Sequence, residues 1–184
     1  MSAVPRNSLL WVALEFKVGK VPALTDIGAQ FSCLRSDVAE FLFLMGEPCV
    51  FGSCAVTCAL ADGQKCQVTN VVRLRVKLLS FSWQHEFKVL NGGPFPAILG
   101  VDFLSQTKLS VDTASRTFGF GFAPNLLGHF SGDDWGTQCE GYLQSLCDKV
   151  PNSVRDAACS NGLRTPPFSV FSRGPLQHGS SRSV

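Results

Sequence analysis

Of the fourteen acidic residues in this chain of 184, Asp26 stands in the setting best suited to chemistry. It lies in Ala23-Leu24-Thr25-Asp26-Ile27-Gly28-Ala29-Gln30, an apolar run that delivers a carboxylate and then, two positions on, a glycine. Burying an acid at a strand end is costly unless something nearby uses it. A glycine there allows a sharp turn and close backbone approach, so the carboxylate would face a cleft rather than a core. Asp-x-Gly is also ordinary turn chemistry, and three other aspartates compete. Asp112-Thr113-Ala114 opens in the same way but lacks the glycine and sits where a hairpin needs turn residues. Asp62-Gly63 is the dipeptide favoured at the tip of a tight hairpin, which accounts for Asp62 without catalysis. Asp102, within Ile98-Leu99-Gly100-Val101-Asp102-Phe103-Leu104, is placed to cap or brace a short helix.

The sulfur and imidazole groups point elsewhere. Cys33, Cys49, Cys54, Cys58, Cys66, Cys139, Cys147 and Cys159 include no C-x-x-C pair, and His85, His129 and His178 do not fall at zinc-site spacing, so no metal is expected. The apolar run Leu9 to Leu14 is interrupted by Glu15 and followed by no small-residue cleavage site, which favours a strand over a secretory signal. The expectation is an intracellular (cytoplasmic) protein whose cysteines are reduced and packed as small buried hydrophobes. Nothing in the sequence calls for a cofactor.

Composition narrows the class further. A hydrophobic content of 45% with 16% charged residues fits a globular domain, and fifteen Phe against one Tyr point to buried aromatics. A net charge of +2 without clustered Lys and Arg argues against a nucleic-acid-binding face. No apolar run has membrane-spanning length.

The elements that must position Asp26 are mostly strands. Val12, Leu14, Phe16 and Val18 alternate with Ala13, Glu15 and Lys17, the period of a half-buried strand. Gly19-Lys20 is expected to turn the chain, and Val21 to Thr25 to return it toward Asp26. Ser36 is expected to cap a short helix presenting Val38, Phe41 and Leu42 on one face and stopping at Gly46. Ala55 to Leu60 and Lys65 to Val72 flank the hairpin at Asp62-Gly63, and Leu74, Val76 and Leu78 alternate with Arg73, Arg75 and Lys77 to give one apolar and one solvated face. Trp83 to Leu90 forms another strand, ended by Asn91-Gly92-Gly93-Pro94. A helix from Val101 would set Phe103 and Leu104 against the sheet, and Thr107 to Val111 with Thr117 to Phe122 would form a closing hairpin. Residues 123 to 184 are rich in Gly, Ser, Pro and Asn. The expected organisation is an N-terminal arm over 1–8, a folded domain over 9–122, and a linker or disordered tail over 123–184 with a short helix at 142–150, where Leu143, Leu146, Cys147 and Val150 share a face.

Taken in order, Asp26-Ile27-Gly28-Ala29, Leu60-Ala61-Asp62-Gly63 and Ile98-Leu99-Gly100-Val101-Asp102-Phe103-Leu104 resemble the motifs of retroviral-type aspartic proteases, most closely the protease domain of gypsy-type retrotransposon polyproteins. The likeness runs from about Leu10 to Phe122. It implies an all-β fold, a small closed β-barrel of the retropepsin type with one or two short helices, that works as a homodimer. The implied reaction is peptide-bond hydrolysis by a water held between two Asp26 carboxylates, one from each copy. Such a pair shares a proton and titrates as a unit. The resemblance also places Gly28, Ala29 and Gln30 along the substrate cleft, Ala61, Asp62, Gly63 and Gln64 on a flap that closes over a bound peptide, and Ile98 in a substrate subsite. The implied partners are a second copy and a peptide or polyprotein substrate.

Two departures from the family pattern stand out. Ile27 replaces a Thr or Ser whose hydroxyl braces the two aspartates across the axis. Gln30 and Val101 stand where retroviral members often carry an acid and an Arg, so both charges are absent together. Three readings therefore stand at this point: an active endopeptidase, a catalytically silent dimerisation or peptide-binding domain, and an unrelated barrel in which Asp26-x-Gly28 is only a turn.

Overall fold

The computed structural model describes residues 9–60 and 63–131, with isolated positions 145, 148, 149 and 152 beyond them. β1 (Trp11–Phe16) and β2 (Gly19–Thr25) form a hairpin whose register runs from Trp11↔Leu24 to Phe16↔Gly19. The turn thus falls on Lys17-Val18 and not on Gly19-Lys20. Val18 turns back onto the core, and Gly19 opens β2 at φ +143°, a conformation that side chains rarely adopt.

β3 (Cys33–Arg35) leads into α1 (Ser36–Leu44), then β4 (Cys49–Ala59), β5 (Lys65–Leu78), β6 (Phe81–Leu90), β7 (Ala97–Leu99) and α2 (Val101–Thr107). The strands order as β1-β2-β7-β3-β6-β5-β4, and β1 also meets β5 at Glu15↔Lys77. Six strands therefore close a barrel, with β4 outside it as a partner of β5. A Lys77–Glu15 ion pair at 3.5 Å lies at the closing seam. The barrel is filled by the inward residues that alternation marks: Val12 and Leu14, Val72, Leu74 and Val76, with Leu34, Phe87, Leu99 and Phe103. Arg73, Arg75 and Lys77 face solvent, as their spacing implies.

α1 buries Val38, Phe41 and Leu42 as expected, but Ser36 does not cap it. Ser36 is itself buried in the first turn, and Asp37 instead accepts a hydrogen bond from the Val38 N–H (2.9 Å) while gripping the Arg35 guanidinium (2.6 and 2.9 Å). β4 begins at Cys49, well before Ala55, because a bulge between Ser53 and Val56 interrupts its alternation. β5 runs unbroken through both segments that the sequence pattern separates.

β8 (Leu109–Asp112) and β9 (Thr117–Phe120) make the expected hairpin, but the folded unit does not stop at Phe122. β10 (Ala123–His129) pairs with β9, Phe130 is buried against Phe118, and the Ser131 N–H reaches the Trp11 carbonyl at 2.9 Å. Gly128 passes beneath the Phe118 ring, where a Cβ would lie 2.3 Å from a ring carbon. A Gly-Pro-Asn-rich stretch hid this strand. The expected arm over 1–8 lies outside the described residues, and so does the helix over 142–150 apart from single positions.

Candidate active site

The backbone around Asp26 is pinned from two sides. The Thr25 N–H bonds to the Leu10 carbonyl (2.8 Å) and the Asp26 N–H to the Leu99 carbonyl (3.0 Å), continuing the β1 and β7 pairings of β2. The Ala29 N–H closes the turn on the Asp26 carbonyl at 3.2 Å, and the Gly28 N–H donates to Asp26 Oδ1 at 2.8 Å. A Cβ on Gly28 would sit 3.1 Å from that same oxygen, so the missing side chain keeps the carboxylate in place. Asp26 is half-buried rather than enclosed, and Ile27 beside it is 78% exposed. One residue earlier, the buried Thr25 hydroxyl has no hydrogen-bond partner among the described residues.

The corner between β7 and α2 interlocks with this loop. The Val101 N–H donates to the Ala29 carbonyl at 2.8 Å. Gly100 packs so tightly that a Cβ would lie 2.6 Å from the Phe31 carbonyl carbon and 2.7 Å from the Ala29 oxygen. The Ser32 hydroxyl bridges the two segments, accepting from the Gly100 N–H (3.0 Å) and donating to Asp102 Oδ1 (2.6 Å). Asp102 also accepts from the Phe103 N–H at 2.7 Å, so it braces the start of α2 as expected. Behind it, His85 Nε2 stands 3.5 Å from Asp102 Oδ2, and His85 Nδ1 lies 2.6 Å from Gln106 Oε1.

Burial opposes charge on Asp102, but the nearby His85 ring and the hydrogen bonds from Ser32 and the Phe103 N–H outweigh it and hold the carboxyl at about 2. A carboxylate depressed in the folded state stabilises the fold above its unfolded value near 4, and that stabilisation is lost as pH falls toward 2. Thermal melting between about pH 4 and pH 2 should therefore decline more steeply in the wild type than in Asp102→Asn; parallel curves would remove Asp102 from the acid response.

The expected site residues fall in two places, the Asp26 loop with the neighbouring β7 strand and the β4–β5 hairpin. Asp26, Gly28, Ala29 and Gln30 share one loop, and Ile98 on β7 is half-buried opposite Leu24 on one side and Cys33 on the other. Gly63 and Gln64 sit at the end of the β4–β5 hairpin, where Gly63 takes φ +82° and Leu60 and Gln64 are joined by a 2.8 Å backbone bond. Ala61 and Asp62 lie outside the described residues. Asp112 is taken up by its turn, accepting from the Ala114 and Ser115 N–H groups and the Ser115 hydroxyl. Ser32, His85 and Gln106 escape a sequence reading because no local spacing links them. Among the described residues no three His, Cys, Asp or Glu side chains cluster as metal ligands would.

No protein-family model matches the chain, and no curated protein does. Among solved structures it is similar to the retroviral protease-like domain of Ddi1 from Leishmania major, with a TM-score of 0.51 and 21% identity over 68% of this chain and 97% of that one. It also aligns with the EIAV protease complexed with the inhibitor HBY-793, at a TM-score of 0.43 and 16% identity over 57% of this chain and 93% of that one. The first likeness shows the fold: a retropepsin-like closed β-barrel with two short helices.

Proposed function

We propose that this chain is an aspartic endopeptidase of the retroviral type, of gypsy-type retrotransposon origin, that works as a homodimer. The observation that carries this is the setting of Asp26. Its backbone is fixed by Leu99 and Ala29, its carboxylate is oriented by the Gly28 N–H, and it is left accessible beside an apolar side chain that a single copy leaves in water. One carboxylate of this kind is half a site. Two, brought together on a two-fold axis, share a proton: one end takes a proton from a water as that water attacks the scissile carbonyl, and the other donates to the carbonyl oxygen. Ile27 at 78% exposure and Val101 at 43% supply apolar surface for that meeting. An extended peptide would lie between the Asp26 loop, Ile98 and the β4–β5 hairpin, adding backbone bonds as a further strand does.

Ile27 supports a second reading, a domain that keeps this fold for dimerisation or peptide binding and has lost turnover. It offers no hydroxyl to brace the dyad, and a misplaced dyad is slow. The test is cleavage of apolar peptides under mildly acidic conditions by purified wild-type protein, with its oligomeric state measured alongside. Turnover that saturates with dimer formation supports the enzyme, and a stable monomer would end both readings. Ile27→Thr is expected to tighten the dimer and raise the rate roughly tenfold, the worth of about one hydrogen bond per copy; if the wild type is an inert dimer and only the Ile27→Thr variant turns over, the silent-domain reading holds for the natural chain.

A further inference from the structure

A row of side chains crosses the outer face of the barrel, starting at Leu24 in the strand that delivers Asp26. Strand register sets Leu24 beside Ile98, Ile98 beside Cys33, Cys33 beside Lys88, and Lys88 beside Val71. Residues paired in this way project to the same face. Their chain neighbours Ala23, Ala97, Leu34, Phe87 and Val72 fill the core, so the row points outward. Lys88 is its one charged member.

The Lys88 side chain is only 13% exposed, and an ammonium so placed needs partners. Its Nζ donates to Glu86 Oε1 at 3.0 Å and lies 5.5 Å from the centre of the Phe31 ring, which follows Gln30 in the chain. The other Glu86 oxygen accepts from Arg73 at 3.1 Å. One carboxylate is thus divided between two cations, and the group keeps a positive surplus. An ammonium has three N–H donors; hydrogen bonds among the described residues use one of those on Lys88. Burial pushes the Cys33 thiol up to about 12, helped by Cys58, Asp102 and Cys66 and opposed by Lys88. The end of the β4–β5 hairpin, which carries Cys58 and Cys66, therefore stands close over Cys33 and the amine beside it.

We propose that Lys88 is a specificity-determining residue, selecting peptides that set an acidic side chain against its ammonium. The inference rests on peptide binding beside the Asp26 loop, which the enzyme and the silent-domain readings share. An acidic side chain takes an open N–H and also balances the surplus charge; an amide of the same shape does only the first. Arg73 is 54% exposed and works through water, whereas a half-buried Lys88 is screened far less. Glu86 is held below the usual carboxylate range, first by its hydrogen bond from Lys88, so it stays ionised under mildly acidic conditions and does not release the amine by taking a proton.

The experiment measures binding of short, fluorescent, apolar peptides to the full chain under mildly acidic conditions, with one Glu moved through every position and each peptide matched by its Gln counterpart. At one position Glu is expected to bind about tenfold tighter than Gln. The preference should persist in Lys88→Arg, vanish in Lys88→Met, and become a preference for Lys over Gln in Lys88→Glu, with melting showing that each variant is folded. Arg75→Met, which removes a cation from the exposed side of β5, should leave it unchanged. The proposal is overturned if no position favours Glu, if the preference survives in Lys88→Met, or if Arg75→Met weakens it as much. Cleavage of the same peptides by the wild type is scored separately. Turnover without a Glu preference rejects the role of Lys88 and leaves the protease standing, whereas a Glu preference without turnover upholds Lys88 and removes the enzyme.

Discussion

On the proposed homodimeric protease reading, Asp26→Asn should lower peptide cleavage by about 10³-fold or more, a large part of what proton transfer by a positioned side chain contributes, while leaving the fold and the proposed dimer in place. The amide oxygen of Asn can still accept from the Gly28 N–H, which holds Asp26 Oδ1 at 2.8 Å, so the loop keeps its geometry. The backbone bonds from Asp26 to Leu99 and from Ala29 back to Asp26 do not involve the side chain at all. What is lost is the ability to share and pass a proton, and an amide has neither role near neutral pH. Because two facing carboxylates repel unless one is protonated, two facing amides should leave association no weaker. The position is half-buried, so stability should change within about 0.5 kcal/mol, as for an ordinary surface substitution. Measuring kcat/KM, melting and sedimentation on the same preparation separates these effects. Cleavage retained within tenfold of wild type, in a folded dimer, would remove Asp26 from the chemistry.

Local chemistry made part of this site legible in the sequence. Asp26, Gly28 and Ala29 are neighbours in the chain, and Ile98 through Leu104 form a strand and helix whose apolar spacing can be read within a few residues. The charged face of β5 could be read because alternation is strict where one side meets water. What could not be read depends on long-range pairing. Ser32 gains its role only when the fold brings Gly100 and Asp102 to it across some seventy residues, with hydrogen-bond separations of 68 and 70. β10 was hidden for the same reason. Pro124, Asn125 and Gly128 are turn-like in isolation, and only pairing with β9 and packing under Phe118 make them a strand. Composition predicts buried cysteines on average, and Cys49 does pack against the core, whereas Cys58 and Cys66 are only half-buried because they lie toward the end of the β4–β5 hairpin.

Gly100→Ala should be the most damaging of the conservative substitutions at the site. A methyl group there would meet the Phe31 carbonyl carbon at 2.6 Å and the Ala29 and Phe31 oxygens at 2.7 Å, all backbone atoms that cannot rotate away. Relief requires moving the Asp26–Ser32 loop off the β7–α2 corner. That movement breaks the bonds from the Gly100 N–H to Ser32 and from the Val101 N–H to Ala29. Overpacking costs about 1–3 kcal/mol and each lost hydrogen bond about 1 kcal/mol, so a loss near 3 kcal/mol or more is expected, about 10 °C or more in melting for a domain of this size. Gly28→Ala is the instructive contrast. Its Cβ meets only the Asp26 carboxylate oxygen, at 3.1 Å, so it should melt within a few degrees of wild type while displacing the Asp26 carboxylate. Equal melting of the two variants would mean that the loop and the corner are not interlocked, and the fixed position of Asp26 would then need another cause.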